Sequence, residues 1–553
     1  MRLHQQIRAS IGRSATAFVT ALMFGFGIPM SAFGQTAPGT PAPAVNPAPT
    51  AGATQTAGAP RLPPEIANGT PLTIEDAVRM ALENNLGIQA ARLNTEIQSW
   101  NLARANSAFA PTLISSFVHA NSAAPPTDFL SSGVAVVTSG NLFSNAGVAQ
   151  QLRWGGGNYQ LTFDGSRNTT DAPRTAYPTA LQSHVNAVLT QPLLKNFKID
   201  TNRTNVLQTK LSQSITDLQV TQQVTQMARG VRAAYFNLLG AIAGLHVAQE
   251  SLNLAKQSLH DNQMRVEAGT MAKIDLVTSE AEVASNEGGV ISQEAAIQSA
   301  EDLLRALVLN PSQAGFWTTV FNPIDQPTMS PRAIDVDAAV KNALENRTDI
   351  LQLKKQIENT DVGLKLEQNQ KLPEVDLVAR YGVTGIGGTQ YQYDPTGLTP
   401  GVIGTSVRGF GDVLSDVFNN NFRNWSVAVN FSYPLGTSNA DALAAQTRVQ
   451  LKQGEMSLHD LETNVTTAVR DAARQVTTNL KLVEATRKAA DLAQQRLDAE
   501  NKRFNVGLAT TFELLQAQRD LSTANQQELQ AMIAYNLALV NFDAIQIVPV
   551  NGR

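Results

Sequence analysis

Apolar residues along the chain follow two different periods, and the places where one gives way to the other divide it into elements. Val231, Tyr235, Leu238, Ile242, Leu245, Leu252 and Leu259 recur at steps of four and three, then seven. That is the seam of a coiled coil. At 425–433 the period is two: Trp425, Val427, Val429, Phe431 and Tyr433 alternate with Ser426, Ala428, Asn430 and Ser432. Val375, Leu377, Ala379, Tyr381 and Val383 alternate in the same way with Glu374, Asp376, Arg380 and Gly382. Val185, Ala187 and Leu189 do so with Asn186 and Thr190, and 112–120 does so more weakly. These stretches predict strands with one apolar and one polar face.

Prolines bound the helical blocks. Residues 72–110, 193–310, 332–372 and 435–548 contain none, although the chain holds 25. Each long block has one plausible reversal, at Gly269 and at Gly507, and each of these glycines lies 42 residues before the next proline. The pattern is one unit written twice. Residues 77–85 (AVRMALENN) reappear as 339–347 (AVKNALENR), an offset of 262 that also carries Pro111 onto Pro373. Leu254–Leu259 and Arg265–Gly269 match Leu492–Leu497 and Arg503–Gly507 at an offset of 238. A period this long is the mark of a repeat architecture.

Each copy therefore predicts a helix of about 35 residues, strands, a helix of about 65–70, a turn, and a return helix of about 35–40. At a rise of 1.5 Å per residue the long helix spans roughly 100 Å, and the two shorter ones stacked end to end span about the same. The expected body is a rod of two repeats, 72–330 and 331–547, mainly α with β strands, ending in a short tail at 548–553.

Ahead of the repeats, Arg2, Arg8 and Arg13 precede an apolar run, Ala15–Ile28, and the small residues of Ala32-Phe33-Gly34. This predicts a cleavable secretory signal peptide over 1–34 and hence export. Residues 35–71 are rich in Pro, Ala and Thr and predict a flexible tail. No other segment reads as a membrane-spanning helix.

Composition narrows the chemistry. Charged residues are only 16% of the chain and the net charge is −4, so nothing favours nucleic acid. Cysteine is absent, which excludes disulfides, thiol chemistry and a lipidated N-terminal Cys. His4, His119, His184, His246, His260 and His459 fall into no metal spacing, and the chain carries no P-loop or G-x-S-x-G. The expectation is a protein without catalytic activity, metal or cofactor.

The strands, each about ten residues long with aromatics near the ends, fit an apolar-out, polar-in transmembrane barrel. A soluble sheet on a core has the same alternation; export and the long polar connections expected at 121–146 and 384–424 favour the barrel. A further hairpin at 147–165, around Gly155–Gly157, either extends the sheet or lies outside it. Four strands cannot close a barrel, and an open edge in lipid leaves backbone groups unpaired. Strands in a membrane therefore require several chains to share one barrel.

Residues 503–521 (RFNVGLATTFELLQAQRDL) resemble the tip-turn motif of the TolC-like outer membrane efflux proteins, R-x-x-x-G followed by L-x-A-Q-R-x-L. Arg265 to Glu280 resembles its first-copy version, 190–194 (TQPLL) the strand-to-helix junction, and 231–239 the long helix. The likeness runs over about 72–547. It implies a homotrimer with a 12-stranded β-barrel in the outer membrane and an α-helical tunnel through the periplasm. Its partners would be a periplasmic adaptor protein and an inner-membrane pump, in tripartite efflux or type I secretion.

The resemblance places a periplasmic aperture at Glu513, Gln516 and Asp275. It places the tip turns and adaptor docking at Arg265, Gly269, Arg503 and Gly507. Helix N-terminal charge accounts for Glu513 and Asp275 equally well. Phe504 stands where the family often has Tyr, without a hydroxyl for a Tyr–Asp bond. Trp425, Phe431 and Tyr433 would form an aromatic belt at the barrel. The competing readings are a secreted coiled-coil filament or adhesin, which leaves the amphipathic strands unexplained, and a periplasmic adaptor, whose helical hairpin occurs once rather than twice.

Overall fold

The computed structural model describes residues 69–126, 134–312, 314–325, 331–393, 401–436 and 438–546. The expected signal peptide, nearly all of the expected N-terminal tail and the C-terminal tail at 548–553 lie outside the described residues. Thr70 and Pro71, assigned to the flexible tail from their composition, are ordered. Thr70–Leu72 (β1) pairs in parallel with Phe321–Pro323 (β6).

The helices recur with matching lengths. Ile74–Asn84 (α1) and Leu86–Asn106 (α2) precede the first strands of the large sheet, and Thr201–Glu267 (α3, 67 residues) and Lys273–Val308 (α4, 36 residues) follow them. Val336–Asn346 (α5), Thr348–Gln370 (α6), Asn439–Asn505 (α8, 67 residues) and Thr511–Gln546 (α9, 36 residues) make the second set. The first helix expected in each copy is two helices, not one. Asn85 ends α1 and caps α2, its side chain accepting from the amides of Gly87 and Ile88. An Asn in extended backbone satisfies the orphan amides that open a new helix, so the break costs little. Arg347 occupies the equivalent break and pairs with Asp349 at 2.5 Å.

The seam follows the predicted period as far as Leu252, with Ile242 partly buried; beyond it Ala255, Ser258 and Asn262 are buried and Leu259 only partly. Val231, Tyr235, Leu238, Leu245 and Leu252 are buried in a core with Leu72, Ala77, Ala81, Leu304 and Phe321. At the 238-residue offset Val469, Ala473, Val476, Val483, Ala490 and Leu497 are buried as well. The second core uses smaller side chains at these positions and adds the wholly buried Tyr535. One stretch of α3 does reach the length and hydropathy of a spanning helix, with a mean hydropathy of 1.3, contrary to the expectation that none would. The seam residues themselves, such as Val231, Leu238, Ile242 and Leu245, supply much of that hydropathy, and they pack into or against the protein core.

The sheet differs most from expectation. Thr112–Ala124 (β2), Val137–Gln151 (β3), Asn158–Thr170 (β4), Thr179–Pro192 (β5), Glu374–Tyr393 (β7) and Phe422–Ser432 (β9) form one continuous antiparallel ladder in that order. Val402–Arg408 (β8) pairs with the far end of β7. The connections expected at 121–146 and 384–424 are largely strand and helix. β2 and β3 extend into the first, and β7, β8 and a short helix, Phe410–Phe418 (α7), into the second. The hairpin around Gly155–Gly157 is longer than the expected 147–165 and lies inside the sheet, so six long strands stand where four were expected. Gly155 and Gly156, both at φ 66°, make its turn against Gln191 and Asn196. A Cβ on Gly156 would meet the Asn196 carbonyl at 2.2 Å.

Candidate functional site

At the ends of the 67-residue helices away from the sheet, two helix reversals lie side by side. The α3–α4 turn holds Gly269 at φ 73° and the α8–α9 turn holds Gly507 at φ 79°. Nothing lies within 4 Å of a Cβ built at either. Glycine is needed at both for the left-handed backbone, not for lack of room. The two turns close alike: Thr270 N donates to the Arg265 carbonyl at 2.9 Å, and Leu508 N to the Arg503 carbonyl at 2.8 Å.

The two arginines of the R-x-x-x-G motifs then diverge. Arg503 serves its own turn, donating to both carboxylate oxygens of Glu500 at 2.8 and 3.0 Å and to the Leu508 carbonyl at 3.3 Å. Arg265 crosses to the other turn. Its guanidinium lies 4.2 Å from the centroid of the Phe504 ring and donates to Asn505 Oδ1 at 3.0 Å. Phe504 is buried in an apolar cluster with Leu497, Leu514, Ala517 and Leu521, against which Leu254 and Met271 of the first hairpin pack. Phe504 has no hydroxyl to donate, and its tie to the other turn is a cation on its aromatic face.

Further up, polar contacts continue the junction between the two hairpins. Gln518 donates to Ser258 Oγ at 2.7 Å, and Ser251 and Ser522 are 2.8 Å apart. Arg519 donates twice to Glu282 Oε2, at 2.9 and 2.5 Å. The hydrogen bond to Glu282 pushes the Arg519 pKa still higher. A polar cavity of about 350 Å³, lined by Ser251, Gln257, Gln494, Gln518 and Asn525 among others, opens beside this seam.

The expected aperture residues do not form one cluster within the chain. Glu513 is exposed and closes the first turn of α9, accepting from the Thr510 amide at 2.7 Å and its hydroxyl at 3.0 Å. The Thr510 amide first, then its hydroxyl and the charge of Arg503, hold the Glu513 carboxyl below its usual range. Asp275 is half-buried in the first turn of α4. Gln516 donates to Asp520, which also takes Arg496 at 2.6 Å. Local capping therefore accounts for Glu513, as the dipole argument allowed. The sequence singles out Phe504 only as the position where the family often has Tyr, and does not single out Glu282. The signal for Glu282 is an opposite-charge pair 237 residues apart.

On the sheet, Trp425 and Phe431 project from β9 on the face of Val427 and Val429, and these four are 61–72% exposed. Tyr433 follows the strand and is 50% exposed. Helix α7 covers the far end of the sheet, where Gly385 leaves room for the Val413 carbonyl. Its Asp416 pairs with Arg408 at 2.7 Å. Among the described residues no group of His, Asp and Glu has the arrangement of a metal site.

Residues 339–545 match the family model described as outer membrane efflux protein. The chain is 24% identical over 329 residues to outer membrane protein TolC of Escherichia coli (strain K12), a match covering 58% of this chain and 62% of that one. It is 22% identical over 473 residues to outer membrane efflux protein BepC of Brucella suis biovar 1 (strain 1330), covering 85% and 84%. The match therefore spans less than two thirds of TolC. Among solved structures, the outer-membrane channel OprN superposes with a TM-score of 0.60 at 15% identity, covering 86% of this chain and 89% of that one. The outer membrane protein VceC of Vibrio cholerae superposes with a TM-score of 0.58 at 13% identity, covering 86% and 96%. The fold is that of these channels.

Proposed function

We propose that this chain, which is similar to the TolC-like outer membrane efflux proteins, is the outer-membrane exit duct of a tripartite efflux or type I secretion system. In this reading it is made with a cleavable signal peptide, and its sheet sits in the outer membrane. Its helices form a periplasmic tunnel wetted by their Gln, Asn and Thr faces. The observation that carries the proposal is the sheet. Trp425, Val427, Val429 and Phe431 make one face of β9 apolar and exposed over most of the strand, while among the described residues β2 and β9 each pair on one side only. In lipid the apolar face is solvated, but each unpaired edge is costly. Three copies, joined edge to edge, satisfy both and enclose a lumen. Trp425, Phe431 and Tyr433 fit the interfacial belt of such a barrel.

The tip turns then form the periplasmic end, with Glu513, Asp275 and Gln516 around the aperture. The open surface at Gly269 and Gly507, flanked by Arg265 and Arg503, offers a docking point for a periplasmic adaptor protein. An inner-membrane pump supplies the work. The two-repeat organisation is supported by the paired helix lengths of 67 and 36 residues. The test is membrane extraction followed by electrophoresis with and without heating. A heat-sensitive oligomer in the outer-membrane fraction is expected. A soluble monomer in the periplasm refutes the duct and favours a secreted coiled-coil protein.

A further inference from the structure

We propose that the β3–β4 hairpin is a pair of additional membrane-spanning strands, so that each chain gives six strands rather than four to the shared barrel. This rests on the exit-duct reading and concerns how its outer half is built. The hairpin is neither an appendage nor a loop. It is paired along its full length on both sides, to β2 from Thr112↔Ala149 to Ala124↔Val137 and to β5 from Asn158↔Thr190 to Thr169↔Thr179. The strand ends nearest the helices are staggered by no more than two residues: Thr112 pairs with Ala149, Gln151 with Asn158, Asn158 with Thr190, Pro192 with Asp376, and Asp376 with Asn430.

The faces agree as well as the lengths. One cross-strand row reads Leu113, Val148, Leu161, Ala187, Tyr381, Trp425, one residue from each strand in turn. It is apolar or aromatic throughout and lies on the face of the exposed Val427 and Val429 of β9. A row on the opposite face reads Ser116, Asn145, Asp164, His184, Thr384 before it meets Phe422 of β9. From β2 to β7 it is polar and tied by hydrogen bonds. Asn145 Oδ1 accepts from Ser116 N at 2.7 Å, Asn186 donates to Asp164 at 3.1 Å, and His184 Nδ1 is 3.1 Å from Thr384 Oγ1. A one-residue slip would put each strand's apolar set on the wrong face. The hairpin thus shares both surfaces with its neighbours, and β3 and β4, at 15 and 13 residues, exceed the about ten a spanning strand needs.

The consequence is a wider outer duct. With strands about 4.8 Å apart and tilted by about 40°, a barrel of 12 strands is roughly 24 Å across, backbone to backbone, and one of 18 is roughly 36 Å. The barrel would then not be the narrowest point, and selection by size would fall to the periplasmic tips.

The chain has no cysteine, so single-Cys variants report cleanly. Leu161→Cys and Phe163→Cys should face lipid; Thr162→Cys and Asp164→Cys should face the water-filled lumen. Val185→Cys with Asn186→Cys on β5, and Val427→Cys with Ser426→Cys on β9, are references. Each variant is expressed as the full chain, checked for its heat-sensitive oligomer, and treated in outer-membrane vesicles with a charged, membrane-impermeant maleimide. A thiol facing hydrocarbon is held protonated and out of reach, so labelling at 161 and 163 should be slower than at 162 and 164 by roughly tenfold or more. A lipid-soluble maleimide, which reaches both faces, should narrow the difference. If the reference pairs alternate and the four hairpin positions label alike, the six-strand barrel is wrong and the exit duct stands. If the reference pairs do not alternate, the membrane reading itself fails and this proposal with it.

Discussion

The tie between the two tips gives a quantitative expectation for opening. In the proposed duct, passage would require the paired hairpins to part at the tips, and Arg265 over Phe504 joins them within the chain. Phe504→Leu removes the aromatic face but keeps an apolar side chain in the cluster of Leu497, Leu514 and Leu521. The guanidinium, 4.2 Å from the ring, is partly exposed, so the lost cation–π attraction is about 0.5–1 kcal/mol. At 1.4 kcal/mol per factor of ten, 1 kcal/mol raises the open-to-closed ratio about fivefold for one chain, and about a hundredfold if three copies must release together. Arg265→Gln should open further, since it also loses the charge-assisted bond to Asn505. The double variant should match Arg265→Gln alone on the stacking term, because both substitutions remove the same contact. Single-channel recording in planar bilayers reads the open fraction, and sensitivity of cells to a bulky antibiotic reads it in vivo. Phe504→Tyr keeps the aromatic face and should stay within about twofold of the parent. If Phe504→Leu and Arg265→Gln assemble normally yet leave the open fraction unchanged, the contact is not a latch.

Gly507→Val places a β-branched residue at φ 79°, a strain of roughly 1–3 kcal/mol confined to the tip; export should fall while the heat-sensitive oligomer persists, and normal drug tolerance would count against the docking role. Arg519→Ala strands the largely buried Glu282; since Arg519 is itself half in water, the cost should be about 1–2 kcal/mol in denaturant unfolding. Pairing it with Glu282→Gln should recover most of that. Glu513 has a depressed folded pKa, so its contribution to the first turn of α9 is complete above the ordinary Glu range and is lost as pH falls through the lowered value. Amide exchange at Glu513 and Leu514 should accelerate only on that acid side, and Glu513→Gln should abolish the acid dependence.

The helical half of this molecule is legible along the chain because its signals are local. Proline-free blocks, a four-and-three seam and a glycine followed by 42 residues to the next proline depend only on neighbours in sequence. They place the long helices and both tips within a few residues. The breaks at Asn85 and Arg347 are local too, but a single capping side chain is a weaker mark than a proline.

What sequence order could not supply is pairing between distant segments. Whether the glycine-centred hairpin enters the sheet depends on β2 and β5 presenting edges to it, although alternation alone had marked both as strands. The choice of Arg265 over Arg503 as the bridging arginine depends on Phe504, 239 positions away, being packed where a guanidinium can reach it. The two R-x-x-x-G motifs are alike as strings and differ in the folded chain, because short-range turn geometry is set by backbone dihedrals within one motif, whereas a side chain's partner is set by which helices pack together.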